Sequence, residues 1–170
     1  MDKTTLQLKT ISRDAIPRAI QKAERYRLLN QSWATESICL DILEVDPVNQ
    51  PVIIMLLLSL TDQFGPQPKE LAGRARALLD RLADPYQRAY YDGIIHERLG
   101  HAQLALDTMH AEAMAGESLQ AAMRAFERAE ALREAGNDDA ILRWNTCARA
   151  LERMHAHDDS EATYEPHFGE

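Results

Sequence analysis

The string most suggestive of chemistry runs from His96 to His101 and places a glutamate, Glu97, between two histidines. A hydrolytic zinc site on a helix needs two histidines four positions apart on one face. These two are five positions apart, so on a helix they would point about 140° away from each other. Gly100 also predicts a helix end between them. We therefore interpret the string as a turn with two partly exposed imidazoles.

A second cluster combines His155 and His157 with Asp158 and Asp159 near the end of the chain. Imidazole and carboxylate groups at this spacing bind added divalent ions. Nothing in the sequence orients these rings, which a working site requires. The cluster is interpreted as a frayed helix end, and a metal-binding accessory role is kept only as an outlying alternative. We predict no resident metal and no cofactor.

No pattern places a nucleophile beside a base, and no glycine-rich loop for phosphate follows a predicted strand. The two cysteines, Cys39 and Cys147, lack ligand-like spacing. They are predicted to be small buried apolar side chains in a reducing cytosol. The chain is therefore not expected to be an enzyme.

The net charge of -8 disfavours nucleic acid as a partner, because arginines are interleaved with acidic residues. The start of the chain lacks the apolar core of a secretory signal. The most apolar run, 52–60, is about half as long as a bilayer requires. We expect a cytoplasmic protein that contacts neither nucleic acid nor membrane.

Glycine, proline and asparagine recur between stretches of helical periodicity and predict an all-α fold of about eight helices. The predicted helices end at Asn30, at the two Asp-Pro pairs before Pro47 and Pro85, and at glycines. They cover 15–30, 32–45, 49–63, 69–83, 86–99, 101–115, 117–135 and 137–155. The third is apolar all round, which predicts neighbours on every side. A flexible segment, 1–14, would precede this domain of 15–155, and an acidic, disordered tail, 156–170, would follow it.

The hairpins repeat. The strings DILEVDP and DRLADP align so that Pro47 and Pro85 lie 38 positions apart. A tetratricopeptide repeat has about 34 residues, and an insertion of four residues at 65–68 accounts for the difference. With small Ala23, aromatic Tyr26 and a turn at Asn30, the chain resembles the tetratricopeptide family, most clearly over 16–65. The resemblance implies about four antiparallel hairpins stacked as a short right-handed superhelix.

In such arrays the first helix of each hairpin lines a concave groove that holds a protein or peptide. The resemblance implies groove positions at Glu24, Arg27, Ile54, Met55, Leu58, Asp92 and His96. Some family members bind carboxylate-ended peptides through a cluster of cations in this groove, and this chain has no such cluster at these positions. A protein or peptide with apolar anchors and basic flanks would suit the groove better.

We therefore expect a protein-protein interaction module, a scaffold or adaptor. The alternative is a chaperone dedicated to one client, similar in size to the small tetratricopeptide chaperones of bacterial secretion systems. The last predicted helix has an apolar stripe and no following helix to cover it. Ile141, Trp144 and Leu151 of this stripe are predicted to be a possible homodimer face.

Overall fold

The structure is a computed structural model that describes residues 6–106, 108 and 110–162, with side chains described as far as residue 156. Within these residues it is entirely helical, which confirms the all-α prediction. A short 3-10 helix, Arg13–Ala15, comes first. Seven α-helices follow: α1 Ile16–Leu28, α2 Ser32–Val45, α3 Gln50–Asp62, α4 Lys69–Leu79, α5 Pro85–Leu104, α6 Ala111–Leu132 and α7 Asp139–Ala162.

Local signals in the sequence end and begin most of these helices. Asn30, after α1, has a left-handed φ of 58°, and Gly136, after α6, has a φ of 87°. The side chain of Asn49 accepts a hydrogen bond from the backbone N of Val52 at 3.3 Å. The side chain of Asp84 caps α5 through the backbone N of Tyr86 at 2.9 Å. These turns and caps satisfy helix-end groups that would otherwise lack partners.

The prediction of a separate helix over 101–115 is wrong. Instead, α5 continues through Gly100 to Leu104, and α6 starts at Ala111 and continues through Gly116. At Gly100 a Cβ atom would lie 3.0 Å from Cγ of Leu119, in α6. This glycine lets α5 and α6 approach closely and does not end a helix. The described part of the chain therefore has seven α-helices, and the last has no paired helix after it.

Each helix packs against the next one in the chain, and α3 also packs against α1 and α5. The buried side chains form two clusters, one centred on α3 and the other on α5, α6 and α7. Leu58 of α3 and Tyr91 of α5 contact both clusters. Eight of the 13 residues of α3 are buried, as its apolar sequence predicts. Ile54 and Leu58 are only partly buried.

Both ends of the chain differ somewhat from the predicted boundaries. The N-terminal segment contacts the body through Ile11, which packs on the first cluster, and through Arg13, whose Nη2 donates to the carbonyl of Val45 at 3.1 Å. The last helix extends to Ala162, seven residues beyond its predicted end. Among the residues that the structure describes, no helix combines the length and apolar character needed to cross a bilayer.

Candidate functional site

A cleft of about 370 Å³ separates α1 from α3. We call it the α1–α3 cleft. The residues that line it are Glu24, Arg27, Leu28, Pro51, Ile54, Met55 and Leu58. Five of the seven groove positions implied by the sequence thus lie together.

The floor of the α1–α3 cleft is apolar. Ile54 and Leu58 of α3 are partly buried below it, and Met55 is 8% exposed. Leu28 stands on the rim of α1 with 86% of its surface exposed. Positions 51, 54 and 58 follow the spacing of one helical face, so α3 presents a strip of uncovered apolar surface in the cleft.

An ion network fixes the inner end of this cleft. Asp62 of α3 forms an ion pair with Arg27 of α1, with Nε and Oδ2 2.9 Å apart, and another with Arg98 of α5. The Nη1 group of Arg98 additionally donates to the hydroxyl of Thr61 at 2.7 Å. Burial lowers the pKa of Arg98, and the charge of Asp62 opposes that shift. One carboxylate, that of Asp62, is thus shared by Arg27 and Arg98, whereas exposed Glu24 has no ion pair among the described side chains.

The other two predicted groove residues, Asp92 and His96, lie elsewhere. Asp92 lines a second cleft, of about 410 Å³, formed by residues of α4, α5 and α6. Its Oδ2 atom is 2.9 Å from Nη2 of Arg128, and its Oδ1 atom is 3.6 Å from Nε2 of His96. On α5, Tyr91 and Ile95 pack with the cluster centred on α3, and Arg98 donates to the carbonyl of Leu58 in α3. Tyr91 and Arg98 lie roughly 100° around the helix from Asp92.

His96 lies among charged groups from three helices. Burial lowers its pKa, Asp92 raises it, and the guanidinium groups of Arg76, Arg124 and Arg128 lower it further, so that it lies below the ordinary histidine value. The neutral imidazole is therefore favoured in the folded protein.

Acid is expected to destabilise the fold through His96. The unfolded chain binds this proton at a higher pH than the folded chain does, so the free energy of unfolding should fall as the pH drops below about 6.5. The fall stops once the folded form is also protonated. Urea unfolding at pH of about 7.5 and about 5 should show a smaller acid loss in His96→Gln than in the wild type. The same substitution at exposed His101 is the control, and an undiminished loss in His96→Gln would contradict the assignment.

A buried ion pair that no local sequence pattern indicates joins α5 to α7. Glu97 is 3% exposed, and both of its carboxylate oxygens lie 3.4 Å from Nη1 of Arg143. Burial lowers the pKa of Arg143, but Glu97 and Tyr90 raise it by more, so the cation is favoured. The two partners are 46 positions apart, and only the packing of α7 on α5 and α6 brings them together.

Both cysteines are buried free thiols, as predicted. Burial, with a smaller contribution from nearby carboxylates, raises the pKa of Cys39 and of Cys147 to about 12. A thiol with so high a pKa is a poor nucleophile and a poor metal ligand at neutral pH. These side chains serve as apolar packing groups.

Among the described residues, no three or more histidine, cysteine or acidic side chains lie close enough together to hold a metal ion. His155 lies exposed on α7. The rest of the proposed His-Asp cluster, from residue 157 onwards, lies outside the residues whose side chains are described.

The proposed dimer stripe on α7 packs mainly inside the chain. Trp144 and Leu151 contact the second cluster, and Nε1 of Trp144 donates to Glu127 of α6 at 3.0 Å. Ile141 is also partly buried. The second cluster and α6 thus partly cover the stripe for which the sequence suggested a second copy.

No protein-family model, curated protein or solved structure matches this chain. We therefore infer a function from the surfaces of the protein itself.

Proposed function

We propose that this protein is an interaction module of tetratricopeptide-like build, a scaffold or adaptor that holds a segment of a partner protein in the α1–α3 cleft. The observation that carries this proposal is the uncovered apolar strip of α3 formed by Pro51, Ile54 and Leu58. A helix that is apolar all round needs cover on every side. The described part of the chain leaves this strip open, and a partner with apolar side chains would cover it.

The arrangement of the helices supports the tetratricopeptide-like part of the proposal. Consecutive helices pack together, and the first helices of successive hairpins, α1, α3 and α5, are neighbours. That order of contacts is expected of stacked hairpins, in which each unit contacts only those next to it. The loop at 65–68, where the sequence predicts an insertion, lies between α3 and α4.

Charge defines the partner further. The cation in the cleft lining, Arg27, is already held by Asp62, which makes it less available to an acidic or carboxylate-ended ligand. Exposed Glu24 would instead attract a basic side chain flanking the apolar anchors. The preferred ligand is thus an amphipathic helix or extended segment with leucine-like anchors and lysine or arginine beside them.

A designed amphipathic peptide with leucine anchors and lysine flanks, labelled with fluorescein, tests the cleft by fluorescence anisotropy. Leu28→Asp is expected to weaken binding by about tenfold, because it places a charge on the apolar rim. The substitution is safe for the fold, since Leu28 is 86% exposed. Leu142→Asp on α7, where the leucine is 62% exposed, is the matched control. Equal affinity of the two variants for the peptide would refute the α1–α3 cleft as the binding site.

A dedicated chaperone would use the same cleft but differ in stoichiometry. It should form a one-to-one complex that keeps an aggregation-prone client soluble, whereas a scaffold should engage two partners at once. Light scattering on purified complexes separates these two forms of the proposal.

A further inference from the structure

A second groove follows the opposite side of α5, between α4 and α6. Its two halves are the cleft of about 410 Å³ that contains Asp92 and a larger one of about 650 Å³. Asp92, Leu99 and Gln103 of α5 belong to these halves, and their spacing puts them on one helical face. His96 lies on the same face between the halves. We call the whole the α4–α6 groove.

Cations outnumber carboxylates in the lining of the α4–α6 groove. Arg76 of α4 and both Arg124 and Arg128 of α6 lie close enough to His96 to lower its pKa. Lys69 and Arg88 line the two halves of the groove. The lining of the two halves thus contains four cations, Lys69, Arg76, Arg88 and Arg128, against three carboxylates, Glu70, Asp80 and Asp92, and Arg124 lies beside it. The whole chain carries a net charge of -8, so this local excess is not a consequence of composition.

The cations are largely available to a ligand. Arg128 is paired with Asp92, but its side chain is still 57% exposed, and Nη1 of Arg88 donates to the carbonyl of Leu82. Arg76 and Arg124 are exposed and take part in no ion pair within the described side chains. The guanidinium groups of Arg76 and Arg124 can therefore bind carboxylates without breaking an ion pair among the described side chains.

The larger half of the groove, of about 650 Å³, also offers apolar surface. Leu99 and Leu106 line it and are partly buried, and Met114 is 38% exposed. The wall formed by α4, with 11 residues, is about 16 Å long, which matches about five residues of an extended segment. The size and lining fit a short peptide with one or two apolar anchors.

We propose that the α4–α6 groove binds an acidic segment of a partner protein, whose carboxylates pair with Arg76, Arg124 and Arg128 while a leucine-like side chain rests on Leu99 and Met114. This site lies beyond the proposed function, since it uses other helices and selects the opposite ligand charge. A nucleic acid is the weaker occupant, because it needs a longer basic stripe that acidic side chains do not interrupt.

The probe is a fluorescein-labelled peptide of about 12 residues that combines glutamates with two leucines. Arg124→Glu/Arg128→Glu is expected to weaken its binding by at least about tenfold, because two favourable charge pairs become repulsive. Both positions are exposed, and the pair lost between Arg128 and Asp92 lies at the surface, so circular dichroism should show that the double variant remains folded. The matched control, Arg18→Glu/Arg149→Glu, makes the same change in net charge at exposed sites on α1 and α7 and should weaken binding by less than about threefold.

Acidity and competition supply independent readouts. The charged groups that face His96 are Arg76 from α4, Asp92 from α5, and Arg124 and Arg128 from α6. Protonation of His96 adds a cation, so affinity for the peptide should rise as the pH falls from about 7.5 to about 5.5, and His96→Gln should remove most of that rise. Leu28→Asp should leave this affinity unchanged, which separates the groove from the α1–α3 cleft.

Three results would overturn the proposal. The first is no binding of the acidic peptide at about 1 mM, and the second is equal weakening by the groove and control double variants. The third is displacement of the peptide by a single-stranded oligonucleotide that binds more tightly, which would assign the groove to nucleic acid.

Discussion

Replacing Arg143 with methionine is expected to lower the free energy of unfolding by about 2 to 3 kcal/mol. The change leaves Glu97, which is 3% exposed, as a buried carboxylate without its cation, and removing one partner of a buried pair costs about 3 to 5 kcal/mol. The estimate is reduced because the Arg143 side chain is 41% exposed, so water can partly replace it. Urea unfolding followed by circular dichroism at pH of about 7 measures the loss.

The double variant Glu97→Gln/Arg143→Met separates the pair from simple loss of packing. If the unpaired charge causes the loss, the neutral amide should recover at least half of it. Arg153→Met, at an exposed position on α7, is the matched control. It should change the free energy of unfolding by less than about 0.5 kcal/mol. A double variant as unstable as Arg143→Met would show that the guanidinium acts through packing alone.

Helix ends were predictable wherever a single residue satisfies the backbone locally. Asn30 adopts the left-handed conformation that closes α1, and Asn49 caps α3 through its own side chain. Gly136 closes the turn after α6 with a positive φ. In each case the decisive interaction spans only a few residues, so sequence reasoning can identify it.

From the sequence alone, a glycine that lets two helices approach closely could not be distinguished from a glycine that ends a helix. Gly100 and Gly116 predicted helix ends, but both lie inside long helices. Their role depends on the neighbouring helix, as the approach of Leu119 to Gly100 illustrates. The pairing of Glu97 with Arg143 is equally non-local, and sequence reasoning noticed Glu97 only as part of a false zinc motif.

The candidate site was predictable in α1 and α3 and not in α5. Buried Ala23 sets the phase of α1 and so places Glu24 beside the cleft, whereas α3 is apolar on every side, so apolar residues such as Ile54 line the cleft whatever its phase. In α5 the buried positions face both α3 and α6, and two apolar faces leave the phase ambiguous. The polar residues Asp92 and His96 were therefore assigned to the wrong side of the helix.

Replacing Gly93 with alanine is expected to destabilise the protein by about 2 kcal/mol. A Cβ atom at this position in α5 would lie 2.6 Å from Cδ1 of Phe126 in α6, whose side chain is fully buried. Overpacking of this kind costs about 1 to 3 kcal/mol or more, against which the higher helix propensity of alanine returns about 1 kcal/mol. Thermal and urea unfolding should both report the loss.

The same substitution at Gly73 should have the opposite sign. Gly73 lies in α4, is exposed, and has nothing within 4 Å of the position that a Cβ would occupy. Only the propensity gain remains there, so Gly73→Ala should stabilise the protein by about 0.5 to 1 kcal/mol.

Adding Phe126→Leu to Gly93→Ala should cost less than the two single changes together, since the smaller side chain makes room for the new methyl group. Additive losses would mean that Gly93 is required for the backbone and not for the contact with Phe126, and the close approach of α5 and α6 would then have another cause.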